Sequence, residues 1–104
     1  MLPPHGQAFI DWVRGMIALR DPARAGEAAS HLGKACEQFL GLVRKAPGAW
    51  PSLAVCTCDY ALALAWSGRA EMGRTVFASV QPVARHHAEP ERLALLEREL
   101  RLRG

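Results

Sequence analysis

The sequence predicts an all-α chain of about five antiparallel helices. Three observations carry that expectation. Threonine is confined to Thr57 and Thr75 and isoleucine to Ile10 and Ile17, while Ala and Leu are abundant, a helical rather than strand-forming bias. Apolar residues recur at the helical period in one segment after another. Pro, Gly or a capping side chain punctuates each segment. At 104 residues, half of them apolar, the chain suits one small domain (1–104) with one core.

The first helix is expected at about residues 7–20, with Phe9, Ile10, Val13, Met16 and Ile17 as its apolar face. It stops at Asp21-Pro22, a good N-cap and a good first helical residue for the next element. The second, about 22–45, carries the stripe Ala25, Ala28, Ala29, Leu32, Ala35, Cys36, Phe39, Leu40 and Val43. "APGAWPS" breaks the chain, and Ser52 is a candidate cap for a third helix over about 52–67. Gly68 closes it by taking the left-handed conformation. A fourth helix, about 70–81, places Gly73, Val76, Phe77 and Val80 on one face and is limited by Pro82. Glu89-Pro90-Glu91 starts a fifth, about 90–102, with a Leu93, Leu96, Leu100 seam.

Several function classes lose support at this level. No GxxxxGK[ST], GxSxG, GxGxxG or HExxH occurs, so no enzyme and no cofactor is expected. Cys56 and Cys58 invite a metal, but residues two apart on a helix point about 200° away from each other. A site would also need Cys36 and one of His31, His86 or His87 to converge, so the cysteines read as buried small residues. His86 and His87 fall in a polar connector, and Asp59, which could be a buried carboxylate with a raised pKa, is expected rather to pair with an Arg such as Arg14 or Arg74, or to cap a neighbour. The net charge is +3, eleven of the thirteen basic residues being Arg. In the last helix Arg92, Arg98, Arg101 and Arg103 alternate with Glu91, Glu97 and Glu99, as in a solvated face with pairs such as Glu97–Arg101. Nucleic-acid binding ranks third among the functions considered. "MLPPHGQ" shows no secretory pattern, no apolar run nears the ~20 residues of a membrane span, and three cysteines make no disulfide scaffold. The expected location is a reducing cytoplasm.

The third helix is unusual. Leu53, Val55, Cys56, Tyr60, Ala61, Leu62, Leu64 and Trp66 leave it almost no polar face, and a helix apolar all round has to be covered all round. Four neighbours in so short a chain are expected to cover one side, leaving the other for a guest. The alternative is that the second helix folds over Leu62 and Trp66 and the chain is self-sufficient.

Two helix junctions share a grammar. "RDPARAGEAASHL" and "GRAEMGRTVFASV" each place a small residue, Ala25 or Gly73, four positions after the residue that opens the turn. This resembles the tetratricopeptide repeat (TPR). Tyr60, Ala61, Leu64, Gly68, Gly73, Phe77 and Val80 match that pattern well. Trp12, Val13, Met16, Asp21, Ala25 and Leu32 match it less well, without the small residue at Val13 or the aromatic at Ala29. Asp21 and Arg69 are 48 residues apart, against about 34 in the standard repeat. An ordinary helix bundle with small residues at its crossings is the alternative. More narrowly, "WPSLAVCTCDYALALAWSGRAE" and "AEPERLALLERELRL" resemble the larger of the two TPR-like chaperones for the type III secretion needle subunit.

That resemblance implies a concave groove that holds the amphipathic C-terminal helix of a self-polymerising subunit, helped by a small helical co-chaperone. Projected onto this chain, it puts Ile10, Arg14 and Ile17 of the first helix and Val55, Cys58, Leu62 and Trp66 of the third in the groove. Cys56, Tyr60, Ala61 and Leu64 then face neighbouring helices. The expected function is a non-enzymatic protein-binding module or chaperone. A general helical adaptor, dimeric through the Leu93/Leu96/Leu100 seam, is the runner-up.

Overall fold

The computed structural model describes residues 4–103, with side chains from Gly6 onward. The N-terminal "MLP" of the leader expectation and Gly104 lie outside them. Five helices follow in chain order: α1 (Pro4–Leu19), α2 (Ala25–Val43), α3 (Trp50–Trp66), α4 (Ala70–His87) and α5 (Pro90–Leu102). Short 3-10 turns at Pro22–Arg24 and Pro47–Ala49 lead into α2 and α3. The fold is all-α, with no strand among the described residues. No helix there is long and apolar enough to cross a membrane.

Local chemistry explains most boundaries. The Asp21 carboxylate accepts the Ala23 N–H at 3.0 Å, with Pro22 pre-set in the first helical position, so this cap serves the 3-10 turn rather than α2 directly. α3 ends in a Schellman motif. Gly68 takes φ +85°, its N–H bonds the Ala65 carbonyl at 3.3 Å, and the Arg69 N–H reaches back to Leu64 at 2.8 Å. Ser52 is not the cap of α3, which begins two residues earlier with Pro51 in its first turn. Pro82 does not end α4. The proline lacks the N–H that the Ala78 carbonyl would accept, and Ala78 lies on the exposed side of the helix, so the free carbonyl is not buried. Val80 and Ala84, both buried, hold the helix on the core beyond that point. His86 and His87 therefore belong to the last turn of α4, where basic groups complement the helix dipole, and not to a connector.

Paired contacts define the topology. Across α1 and α2, Gly15 meets Leu32 and Asp11 meets Gln38, so the two run antiparallel. Across α2 and α3, Gly33 meets Tyr60 and Cys36 meets Cys56, again antiparallel. α4 returns along α3, with Gly73 against Ala61. α5 then lies on α3 with Asp59 opposite Arg92 and, a turn further on, Leu62 and Leu95 lining one hollow, a parallel register. Thus α3 is the central helix. α1 and α5 stand on one side of it, and α2 and α4 on the other.

Close approach depends on two glycines. A Cβ at Gly73 would stand 2.9 Å from the Ala61 carbonyl oxygen, which bears out the expected small residue at that crossing. A Cβ at Gly15 would stand 2.4 Å from Cγ of Leu32. This second contact corrects the expected face of α1. The stripe buried against α2 is Ala8, Asp11, Gly15 and Ala18, whereas Phe9, Val13 and Ile17 remain substantially exposed. Small residues let the backbones approach, so the larger apolar side chains are turned elsewhere. Phe9 and Trp12 still pack their rings on Phe39 at 5.2 and 5.6 Å, both edge-on.

Candidate functional site

Helix α3 is covered more completely than its composition suggested. Cys58 and Leu62 are only 5% and 3% exposed, while Val55 and Trp66 are half-buried. The neighbours seal Leu62, so the expectation that one side of α3 lies bare is corrected. α1 and α5 flank it on the side left open by α2 and α4, and α3 becomes a floor.

Above that floor runs a groove of about 540 Å³. Val13, Met16 and Ile17 of α1 form one wall, Leu62 and Trp66 the bottom, and Arg92 and Leu95 of α5 the other wall. Arg20 stands at one rim, and Glu89 and Glu91 at the opposite one. A smaller hollow of about 190 Å³ adjoins it, sharing Met16, Glu89 and Arg92 and adding Trp12, Val55 and Cys58. The two form one apolar track along α3.

A polar clamp crosses this track. The Trp12 indole N–H donates to one Asp59 carboxylate oxygen at 2.8 Å, and Arg92 Nε approaches the other at 2.9 Å. One residue from each of α1, α3 and α5 is thereby joined at a single buried carboxyl. Burial pushes the Asp59 carboxyl above its ordinary range, and the Arg92 charge and the Trp12 hydrogen bond pull it back. The expected partners of Asp59 are not the actual ones. Arg14 is exposed and lies 3.9 Å from Asp11, and Arg74 donates to the Leu100 carbonyl at 2.9 Å. Only Arg92, on a helix parallel to α3, approaches from the correct side.

The seven residues expected at the groove divide three ways. Ile17, Leu62 and Trp66 line it, and Val55 and Cys58 line the adjoining hollow. Ile10 and Arg14 line neither, because the part of α1 that turns toward α3 carries Trp12, Val13, Met16 and Ile17. Sequence reasoning missed Val13, Met16, Arg92 and Leu95 as groove residues. The available signal was the small-residue stripe Ala8, Gly15, Ala18, which marks the α2-facing side and leaves Val13 and Met16 to the other. Cys56, Ala61 and Leu64 are fully buried and Tyr60 half-buried against α2.

The remaining chemistry is quiet. Burial pushes the Cys58 thiol up to about 12, so it stays protonated and a poor nucleophile. Among the described residues, no three His, Cys, Asp or Glu side chains gather as a metal site. The expected Glu97–Arg101 pair is not formed. Glu97 lies 3.6 Å from Arg85 of α4, and the i,i+4 pair of α5 is Glu99–Arg103 at 3.0 Å. Leu93, Leu96 and Leu100 are buried within the chain's own core, so the proposed dimer seam is not available at the surface. Comparisons with protein-family models, with curated proteins and with solved structures return no match to this chain.

Proposed function

We propose that the chain is a non-enzymatic binding module that seats an amphipathic helix of a protein partner along the α1/α3/α5 groove. The supporting observation is the combination of a closed apolar floor with an open apolar lip. Val13 is 52% and Ile17 50% exposed on the α1 wall, directly above the buried Leu62. Full burial of such side chains gains about 1.5–3 kcal/mol each, and half of that remains to be gained here. With Trp66 and Leu95 added, the groove side supplies about 3–6 kcal/mol, and the apolar face of a guest reading the wall at i, i+3 and i+4 must supply the rest of the association cost of about 4–15 kcal/mol.

The narrower version, a cytoplasmic chaperone for a self-assembling subunit of a type III secretion apparatus, rests on the TPR-like resemblance of residues 50–102. Helices α1 and α5 on one side of α3, α2 and α4 on the other, and a parallel α3/α5 register are compatible with that reading. An arginine-mediated nucleic-acid reading gains nothing from the structure. Arg92, Arg85 and Arg103 are each engaged with a carboxylate.

The test is affinity capture from the native host at moderate salt, with wild type beside the Val13→Asp/Ile17→Asp double variant. A protein retained by wild type and lost by the variant, and mapped by truncation to one amphipathic helix, supports the groove. Equal retention by both, or retention of nucleic acid that a further rise in salt releases, overturns it.

A further inference from the structure

On the opposite side of α3 from the groove lies a separate cavity of about 390 Å³, walled by α2, α3 and α4. Cys36 of α2 opens onto it beside Leu40, Trp50, Thr57 and Tyr60. Behind Cys36, its Sγ 3.6 Å away, sits Cys56 of α3, fully buried. Cys58 takes no part, since the helical turn carries it to the groove side, near Arg92. The result is one accessible thiol backed by one enclosed thiol, at the seam between the α1/α2 and α3/α4 pairs. The two sulfurs need close by only about 1.5 Å to reach disulfide length.

We propose that Cys36 and Cys56 form a peroxide-responsive dithiol, with Cys36 the attacking and Cys56 the resolving residue of an intramolecular disulfide. Its substrate is hydrogen peroxide or a hydroperoxide small enough to enter the cavity. In the first step the Cys36 thiolate attacks one peroxide oxygen. The O–O bond breaks, Cys36 becomes a sulfenic acid, and the departing hydroxide takes up the proton that the thiol released, giving water. In the second step Cys56 Sγ attacks Cys36 Sγ, the S–O bond breaks, and the leaving hydroxide takes the Cys56 proton as a second water. Two thiols are oxidised by two electrons in all, and hydrogen peroxide is reduced to two waters, or a hydroperoxide to one water and the corresponding alcohol.

Access sets that division of labour, since Cys36 lines the cavity and Cys56 is fully buried behind it. Either thiol can donate across the 3.6 Å contact, and with the Cys56 S–H turned toward Cys36 the Cys36 thiol is drawn below its ordinary range, against the opposing effect of burial. The same contact and burial push Cys56 up, so it keeps its proton until Cys36 has been oxidised. The Thr57 hydroxyl, 3.7 Å from Cys36, already donates to the Leu53 carbonyl at 2.7 Å, so it meets Cys36 as an acceptor and by itself favours the thiol over the thiolate there. The disulfide would tie α2 to α3 without touching the groove, so this inference stands apart from the proposed function.

The experiment treats the full reduced chain with equimolar hydrogen peroxide under native conditions, then denatures and alkylates it for intact mass and peptide mapping. Trypsin places Cys36 on 35–44, and Cys56 with Cys58 on 46–69. The expected product is a monomer lighter by two hydrogens, with one alkylatable thiol left and the two peptides joined. Cys58→Ala should leave that linkage intact. Cys56→Ala should halt at a Cys36 sulfenic acid that dimedone traps. Three free thiols after treatment, a linkage that persists in Cys56→Ala, or a product joined between chains overturns the proposal. So does a linkage that forms equally well when urea unfolds the chain before peroxide is added.

Discussion

Replacing Arg92 with Met tests the clamp at the centre of the three-helix side. Met keeps most of the aliphatic length that packs along the groove and removes the charge 2.9 Å from Asp59. Asp59 is 2% exposed and would then hold a buried carboxylate whose one remaining hydrogen bond comes from Trp12. Breaking a fully enclosed ion pair costs about 3–5 kcal/mol. More than a third of the Arg92 side chain reaches water, so screening lowers the expected loss to about 2 kcal/mol. For a chain of this size that is a fall in Tm of roughly 10 °C. The pH dependence gives the argument its sign. The folded Asp59 carboxyl already titrates above its unfolded value, so between the two values the folded state binds more protons and stability falls as pH rises. Without Arg92 the folded value moves higher still, and the window extends upward. The variant should therefore show its full deficit at neutral pH and a smaller one at acid pH, where a protonated Asp59 needs no cation. Urea unfolding followed by far-ultraviolet circular dichroism at both pH values measures this. Adding Asp59→Asn should recover much of the loss, since the amide still accepts the indole N–H. A deficit of equal size at both pH values, or none at neutrality, would refute the reasoning.

Other perturbations separate floor from lip and close packing from open helix. Leu62→Asp should unfold the isolated chain, because the residue is 3% exposed, whereas Ile17→Asp on the half-exposed lip should leave the helical signal and Tm nearly unchanged. Gly73→Ala must push α4 away from the Ala61 carbonyl and should cost about 1–3 kcal/mol in urea unfolding. Gly26→Ala, with nothing within 4 Å of its new Cβ, should instead stabilise by about 0.5–1 kcal/mol. Gly68→Ala, forced to φ +85°, should lower stability by about 1 kcal/mol through the turn alone.

All five helices were legible in the sequence because their ends are set locally. Asp21-Pro22, Gly68 and Glu89-Pro90 act through their own backbone and nearest neighbours, and each marks a boundary close to its expected place. Pro82 misled because its effect depends on whether an orphaned carbonyl faces water, which is a tertiary fact. Faces were less legible than ends. On α1 the strong apolar pattern of Phe9, Val13 and Ile17 outweighed the Ala8, Gly15, Ala18 stripe by hydrophobicity, yet the stripe is what packs. Two backbones approach most closely over the smallest side chains, and no count of apolar residues measures that. On α3 the lack of any polar side left nothing with which to partition its faces. Asp59 is the exception, and its true partner, Arg92, is separated from it by all of α4.

The sealing of Leu62 changes where a partner would gain energy rather than whether it could. A residue already at 3% exposure adds almost no apolar area to a new interface, however central its position. Its neighbours in the same hollow, Val13 and Ile17, retain about half of theirs, and they sit on the helix that is joined to α3 through the Trp12–Asp59 bond. Affinity would thus reside in the α1 wall, while α3 supplies shape and the Asp59–Arg92 pair fixes the position of the opposite wall. Substitutions on the lip should alter binding without unfolding the chain. Substitutions in the clamp should alter both together, because the charge pair that sets the groove's width also holds α5 on the core.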